Sequence, residues 1–219
     1  MTEKVILFDF DGTIADTYQT IAKITNQLST EFGYKALDQE ELVLIKNLSS
    51  REIVKRSEIS IFKSPFLVRR VRAELGKEIA ELEPITGIAP VLLELKKQGH
   101  ILGIVTSNNK ENVDIKKNKN QLDQLFSYIY SSTAIFGKHR VLNQVIREHN
   151  IVQSDIIYVG DETRDIRSAR RSLISIIAVS WGFNAAEILQ EHQPDYLVAE
   201  PSELLEAIAH WQPCQTAAF

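Results

Sequence analysis

Cysteine is nearly absent from this chain: a single residue, Cys214, stands close to the C-terminus. One cysteine cannot close an internal disulfide, so packing must hold the fold, and a reducing compartment suits it. Also missing is any apolar run long enough to cross a bilayer. The early run Val5-Ile6-Leu7-Phe8 is too short for the core of a secretion signal, and no cleavage-site pattern follows it. Positive charge is not in excess. Lys and Arg number 25 against 29 Asp and Glu, and the net charge of −4 provides no global field to draw nucleic acid or acidic membranes. No internal repeat and no low-complexity tract is present. These absences leave a cytoplasmic soluble protein as the expectation, with neither nucleic acid nor membrane as partner. Whether it is a monomer or a homodimer leaves no mark on the sequence. At 219 residues there is room for one good-sized core, or for a core carrying a smaller insert.

What is present alternates. Short apolar runs bounded by polar or turn residues occur at Val5 to Phe8, Ile101 to Val105, Tyr128 to Tyr130, Ile156 to Val159, Ser175 to Val179 and Tyr196 to Val198. Apolar runs without alternation fit strands buried on both faces, as in a parallel sheet covered by helices. Between them Ile88, Val91, Leu92 and Leu95 share a helical face ahead of Gly99, and Val141, Leu142, Val145 and Ile146 share another. The expected fold class is α/β, a Rossmann-like open parallel sheet with helices on both faces and right-handed crossovers. The stretch from Thr17 to Glu83 breaks the rhythm. It offers helical faces at Ile21, Ile24 and Leu28, shorter ones around Leu42, Ile45, Ile53 and Val54, and a longer helix from Phe66 to Leu82. So much helix exceeds an ordinary crossover. The expectation is a core domain of residues 1–16 and 84–219, with residues 17–83 inserted after the first strand as a small all-α cap. Pro213 to Phe219 reads as a frayed tail.

Chemistry concentrates at the ends of the strands. Phe8-Asp9-Phe10-Asp11-Gly12-Thr13 follows the first, where an open parallel sheet forms its ligand crevice. In a continuing strand Asp9 and Asp11 would point to one side and repel, a cost that a cation between them would relieve. The same letters also suit a strand end with an ordinary Asp-Gly turn. Thr106-Ser107-Asn108 closes the second strand with hydroxyls and an amide, although Ser107 or Asn108 could equally cap a helix. Gly137-Lys138 opens a helix and could set a point charge against a phosphate, or leave Lys138 in water. Gly160-Asp161, with Asp165 four residues on, follows the fourth strand. Asp165 could instead pair with Arg164 or Arg167, or serve the helix N-terminus.

Taken together, in order and in strand context, these segments resemble the four motifs of the haloacid dehalogenase superfamily. The Ile85-Thr86-Gly87 and Ala178-Val179-Ser180-Trp181-Gly182-Phe183 segments and the helical insert resemble its phosphoglycolate-phosphatase-like branch. The resemblance implies a Mg²⁺-dependent phosphatase acting on a small phosphorylated metabolite through an aspartyl-phosphate. It implies Asp9 as nucleophile and Asp11 as general acid and base. Thr106, with Ser107 beside it, and Lys138 would hold the phosphoryl oxygens. Asp161 would bind the metal with Asp9 and the main-chain carbonyl of Asp11, and Asp165 would support it from just outside. The chain departs from the branch at His139, commonly a proline, and at Arg171-Ser172-Leu173, where an Ala-Gly turn is frequent.

Residue types agree with that chemistry independently. Phosphoryl transfer needs an in-line nucleophile and neutralised equatorial charge, and magnesium favours a few carboxylates over Cys or His ligands. The five histidines are scattered and take no role. Three other readings stay open: a sugar-phosphate mutase of the same fold, a metal-free carbon–halogen hydrolase, which the spare acids argue against, and a non-catalytic binding protein. For the substrate's organic end, Lys46 and Arg51 are the candidates, in the polar loop between two helices of the insert.

Overall fold

The structure, a computed structural model, describes residues 3–56, 59, 63–78, 82–109, 113, 122–131 and 137–212. The side chains of Ser50, Arg51, Val54 and Asp123 lie outside that description, as do Cys214 and the rest of the tail. Six strands form one sheet: β1 (Val5–Phe8), β2 (Ile101–Thr106), β3 (Phe126–Ser131), β4 (Ile156–Gly160), β5 (Ser175–Val179) and β6 (Tyr196–Val198). Their order is β3-β2-β1-β4-β5-β6, and every neighbouring pair is parallel. Each apolar run read from the sequence is one of these strands.

Both faces are covered, which is why the central strands carry apolar residues without alternation. Ile6, Phe8, Ile157, Val159, Ile177 and Val179 face one cluster, shared with α6 (Ile88–Lys97) and α10 (Glu203–Ala209). Val5, Leu7, Ile156, Tyr158, Ile176 and Ala178 face the other, with α7 (Lys138–Glu148), α8 (Thr163–Arg171) and α9 (Ala186–Glu191). The period of two survives in which side a residue faces, but not in its polarity. At Gly103 in β2 a Cβ would come within 2.8 Å of the Leu7 side chain and 3.2 Å of Tyr128, so the absent side chain is what lets the strands pack there.

Between β1 and α6 the described residues hold helices only: α1 (Tyr18–Gln27), α2 (Ser29–Phe32), α3 (Gln39–Ile45), α4 (Ser50–Arg56) and α5 (Ser64–Glu78). The long helix expected as far as Leu82 is helical to Glu78, and residues 79–81 lie outside the described set. Asp38 starts α3 with a reciprocal capping pair: its carboxylate accepts from the Glu41 amide at 2.8 Å, and Glu41 accepts from the Asp38 amide at 2.9 Å. Ile24, Leu28, Leu67 and Leu75 are buried in the same cluster as Phe8 and Ile14, so the insert packs onto the sheet's own core. The chain leaves and re-enters side by side, with the Asp16 amide donating to Glu83 O at 3.1 Å and Ala15 bridging Pro84. No helix among the described residues is long and apolar enough to cross a membrane.

Helix α6 offers an internal control on burial, since Leu92 is fully buried and its neighbour Leu93 is 55% exposed. Leu92→Ala is expected to cost about 2–5 kcal/mol and Leu93→Ala within about 0.5 kcal/mol. Urea denaturation of the two variants measures this, and equal losses would refute the assignment of the buried face.

Candidate active site

Strand order reverses at β1. The chain runs outward to β2 and β3, then returns to β4 on the other side of β1, and the C-terminal ends of β1 and β4 border the crevice this leaves. Asp9 follows β1 and Asp161 follows β4. The Asp9 amide still donates to Val159 O at 2.8 Å, so its position is fixed by the ladder. Beyond it the chain curls at once. The Ile14 and Ala15 amides both donate to Phe10 O, and Gly12 takes a φ of 75°. A Cβ on Gly12 would lie 2.3 Å from Asp161 Oδ2 and 2.5 Å from the Phe183 ring, so only glycine fits. Because the strand ends at Phe8, Asp9 and Asp11 do not stand in register on one strand face as a continuing strand would place them.

Asp9, Asp161 and Asp165 are all buried, and a carboxylate oxygen of each lies within 4.8 Å of the others. Lys138, itself buried, extends its ammonium between two of them, 2.7 Å from Asp9 Oδ2 and 2.5 Å from Asp165 Oδ1. Asp161 accepts from the Thr13 hydroxyl at 2.8 Å and from the Phe183 amide at 2.7 Å. Asp165 Oδ2 accepts from the Glu162 amide at 3.1 Å. A Cβ on Gly182 would stand 2.1 Å from Asp161 Oδ2, and one on Gly160 2.7 Å from the Asp165 side chain. Three buried carboxylates thus stand close together, two of them paired with one ammonium. An all-oxygen donor set with this surplus of negative charge fits a hard divalent cation. Asp9 Oδ2, buried and paired with the Lys138 ammonium at 2.7 Å, supplies one oxygen of that set.

Asp11, only partly buried, is not one of that group of three. Its two oxygens accept from Asn108 Nδ2 at 3.2 and 3.0 Å. Thr106 and Ser107, both buried, end β2 beside it, and the Thr106 hydroxyl accepts from the Asn108 amide at 3.0 Å. Lys138, Asp161 and Asp165 stand near Asp9, and Thr106 ends the neighbouring strand. Asn108 as the partner of Asp11 was not anticipated, because an Asn after a strand reads first as a helix cap.

The electrostatics follow from burial. Asp9 is pushed up from 3.8 to about 7, chiefly by desolvation and against the pull of Lys138. Burial also raises Asp11, opposed by the Asn108 amide. Asp161 rises well above the ordinary range through burial, then through the charges of Glu162, Asp9 and Asp165. Burial works against the Lys138 ammonium, but Asp165 and Asp9 outweigh it and hold its pKa above the ordinary lysine value.

Above Asp11 a cavity of about 290 Å³ opens toward the insert. Its walls come from α1, α4 and α5 through Ile21, Ile53, Leu67, Val71 and Leu75, and its polar groups include Ser107, Asn108, Arg72 and Arg164. Lys46 does not line it. The Lys46 ammonium donates to Gly182 O at 3.0 Å and lies over the Tyr18 ring, and its carbonyl accepts from the Ala185 amide at 2.9 Å. Asn184 completes this junction: Nδ2 donates to the carbonyls of Lys46 and Leu48 while Oδ1 accepts from the Thr163 amide at the head of α8. The Arg51 side chain lies outside the described residues. Arg72 and Asn184 carry no local motif, and only the folded chain brings them to the site, whereas Arg164 lies within the Asp161 to Asp165 segment.

The family model for "Haloacid dehalogenase-like hydrolase" matches residues 6–179. The chain is 36% identical over 205 residues to the phosphoglycolate phosphatase of Synechococcus elongatus, covering 94% of this chain and 97% of that one. A phosphoglycolate phosphatase of Vibrio parahaemolyticus is 26% identical over 221 residues, covering 94% and 96%. Among solved structures, that of a predicted phosphatase from Clostridium acetobutylicum superposes with a TM-score of 0.82 at 23% identity, over 96% of this chain and all of that one. The chain belongs to the haloacid dehalogenase-like hydrolases, and within them to the phosphatases.

Asp9 has a folded-state pKa above its unfolded value, so the folded protein holds the proton more tightly. The stability this contributes is present at low pH and is lost as pH rises from about 4 to about 7. Wild-type protein in chelator should therefore lose stability relative to Asp9→Asn across that window. Urea midpoints of the two proteins test this, and a gap that stays constant or runs the other way would contradict the shift.

Proposed function

We propose that the protein is a magnesium-dependent phosphatase that hydrolyses a small phosphate monoester of the phosphoglycolate type through an aspartyl-phosphate on Asp9. The observation that carries this reading is the position of Asp9: buried at the strand-order switch, ion-paired to Lys138, and flanked by Asp161 and Asp165. The phosphoryl group would lie against Asp9, with Thr106, Ser107 and Lys138 around its oxygens. An Asp9 oxygen attacks phosphorus as the ester oxygen leaves, and Asp11 gives that oxygen a proton. Burial pushes the Asp11 carboxyl up from its ordinary value, the direction a proton donor needs. Asp11, now a carboxylate, takes a proton from a water that attacks the same phosphorus, which releases phosphate and restores Asp9.

Asp9, Asp161 and the main-chain carbonyl of Asp11 would hold Mg²⁺, with Asp165 steadying Lys138 and the head of α8. When bound, the ion neutralises charge on the phosphoryl oxygens and keeps Asp9 ionised. On this reading residues 1–16 and 84–219 are the catalytic core and residues 17–83 a cap, an assignment supported by the paired crossing at Asp16 and Glu83. The choice of substrate is supported by the similarity to phosphoglycolate phosphatases. A cytoplasmic site of action follows from the near-absence of cysteine.

Asp9→Asn should lower kcat by at least about a thousandfold while the protein remains folded. A variant retaining activity within tenfold of wild type would remove Asp9 as nucleophile. Chelator should abolish turnover and Mg²⁺ should restore it. Asp165→Ala should weaken the apparent Mg²⁺ affinity by about 10–100-fold, read from activity against Mg²⁺ concentration. Undiminished turnover in chelator would overturn the metal's part.

A further inference from the structure

Polarity is divided across the cavity above Asp11. Its floor is polar: Asp11, Ser107 and Asn108 follow β1 and β2, and Glu162 and Arg164 stand at the head of α8. These groups already meet one another, Arg164 with Glu162 and Asp11 with the Asn108 amide. The roof comes from the insert and is almost wholly apolar. Val68, Val71 and Leu75 recur along one face of α5 at helical spacing, joined by Ile21 of α1 and Ile53 of α4. Among the described residues Arg72 is the one charged side chain the insert brings to this cavity. Ile21, Ile53, Val68 and Val71 are only partly buried, so they leave apolar surface uncovered where a ligand would lie. At about 290 Å³, against about 30 Å³ for a water in the liquid, the space has room well beyond the two carbons of glycolate.

We propose that this roof receives an apolar leaving group, so that the enzyme also hydrolyses phosphate monoesters of short aliphatic alcohols, and does so better as the chain lengthens. This rests on the reading above that the phosphoryl group lies against Asp9 and the ester oxygen leaves beside Asp11. The carbon chain then points away from the polar floor and against α1, α4 and α5. Water supplies the new oxygen on phosphorus, and the products are the free alcohol and inorganic phosphate. Each methylene moved from water onto an apolar wall strengthens binding by up to about fourfold. That gain is equal before and in the transition state, so it lowers KM and leaves kcat level. Recognition of the organic end thereby falls to the inner face of the insert rather than to the α3–α4 loop, where Lys46 is engaged with Gly182.

The test is kcat/KM for ethyl, n-propyl, n-butyl and n-pentyl phosphate, with phosphoglycolate run alongside. These alcohols are almost equally basic, so the series varies chain length and little else. In the wild type kcat/KM should rise by at least about twofold per methylene, carried by KM. Val71→Phe, which fills the roof, should cut the ratio of pentyl to ethyl phosphate at least about fivefold. A flat or falling wild-type series, or alkyl phosphates left untouched while phosphoglycolate is hydrolysed, overturns the proposal and leaves the phosphatase reading standing. That outcome needs no variant, which covers a Val71→Phe protein that does not fold. A folded Val71→Phe enzyme with the wild-type ratio overturns it equally. A wild type inactive on every ester, phosphoglycolate included, would instead bring down the phosphatase reading itself, and this proposal with it.

Discussion

The site depends on one constraint, a surplus of buried negative charge at the C-terminal ends of β1 and β4. Asp9, Asp161 and Asp165 stand together there, all buried, and the Lys138 ammonium meets Asp9 and Asp165. Carboxylates this close are tolerable only when donors and cations meet them at short range. The surrounding chain is shaped to provide that. Gly12, Gly160 and Gly182 have no Cβ where one would collide with Asp161 or Asp165. The Thr13 hydroxyl and the Phe183 amide converge on Asp161 from opposite ends of the sequence. The same surplus makes the site a fit place for a divalent cation, whose charge is opposite to that of the carboxylates.

The segment after β5 has two functions at once. Its Phe183 amide holds Asp161, and its Phe183 ring stands edge-on to Tyr18 at the start of α1. Gly182 and Asn184 fasten the end of α3 through Lys46 and Leu48, while Asn184 also caps the Thr163 amide of α8. One short loop therefore fixes the buried Asp161 carboxylate and anchors the insert over the cavity. A shift of the insert would be felt at Asp161 through hydrogen bonds a few ångströms long, which gives the two regions a physical route for coupling.

Much of the fold was legible because strands buried on both faces leave an unmistakable mark: Ile156 to Val159 and Ile176 to Val179 are hydrophobic runs that send side chains into the cores on both sides of the sheet. The acidic residues of the site were legible because their motifs are local and sit at strand ends. What was not legible depends on tertiary placement. Lys46 reads as a polar loop residue free to meet substrate, but folding brings Gly182 to it across 136 positions of sequence. Arg72 reads as one more arginine on an exposed helix, and only the packing of α5 on α1 turns it toward Asp11. The departure at Arg171-Ser172-Leu173 proves tolerable for a local reason: Leu173 adopts a φ of 55°, the left-handed conformation a glycine would take more cheaply, with its side chain largely in water.

The central claim, that Asp9 carries the phosphoryl group between substrate and water, can be read directly from the protein. Acid-quenching the enzyme during steady turnover of phosphoglycolate with Mg²⁺ and digesting it for mass spectrometry should reveal one added phosphoryl group, on the peptide containing Asp9. Treating the quenched enzyme with borohydride should convert Asp9 to homoserine, marking the acyl-phosphate at that residue alone. A phosphoryl group found on any other side chain, or full turnover with position 9 unmodified at every quench time, would contradict the account.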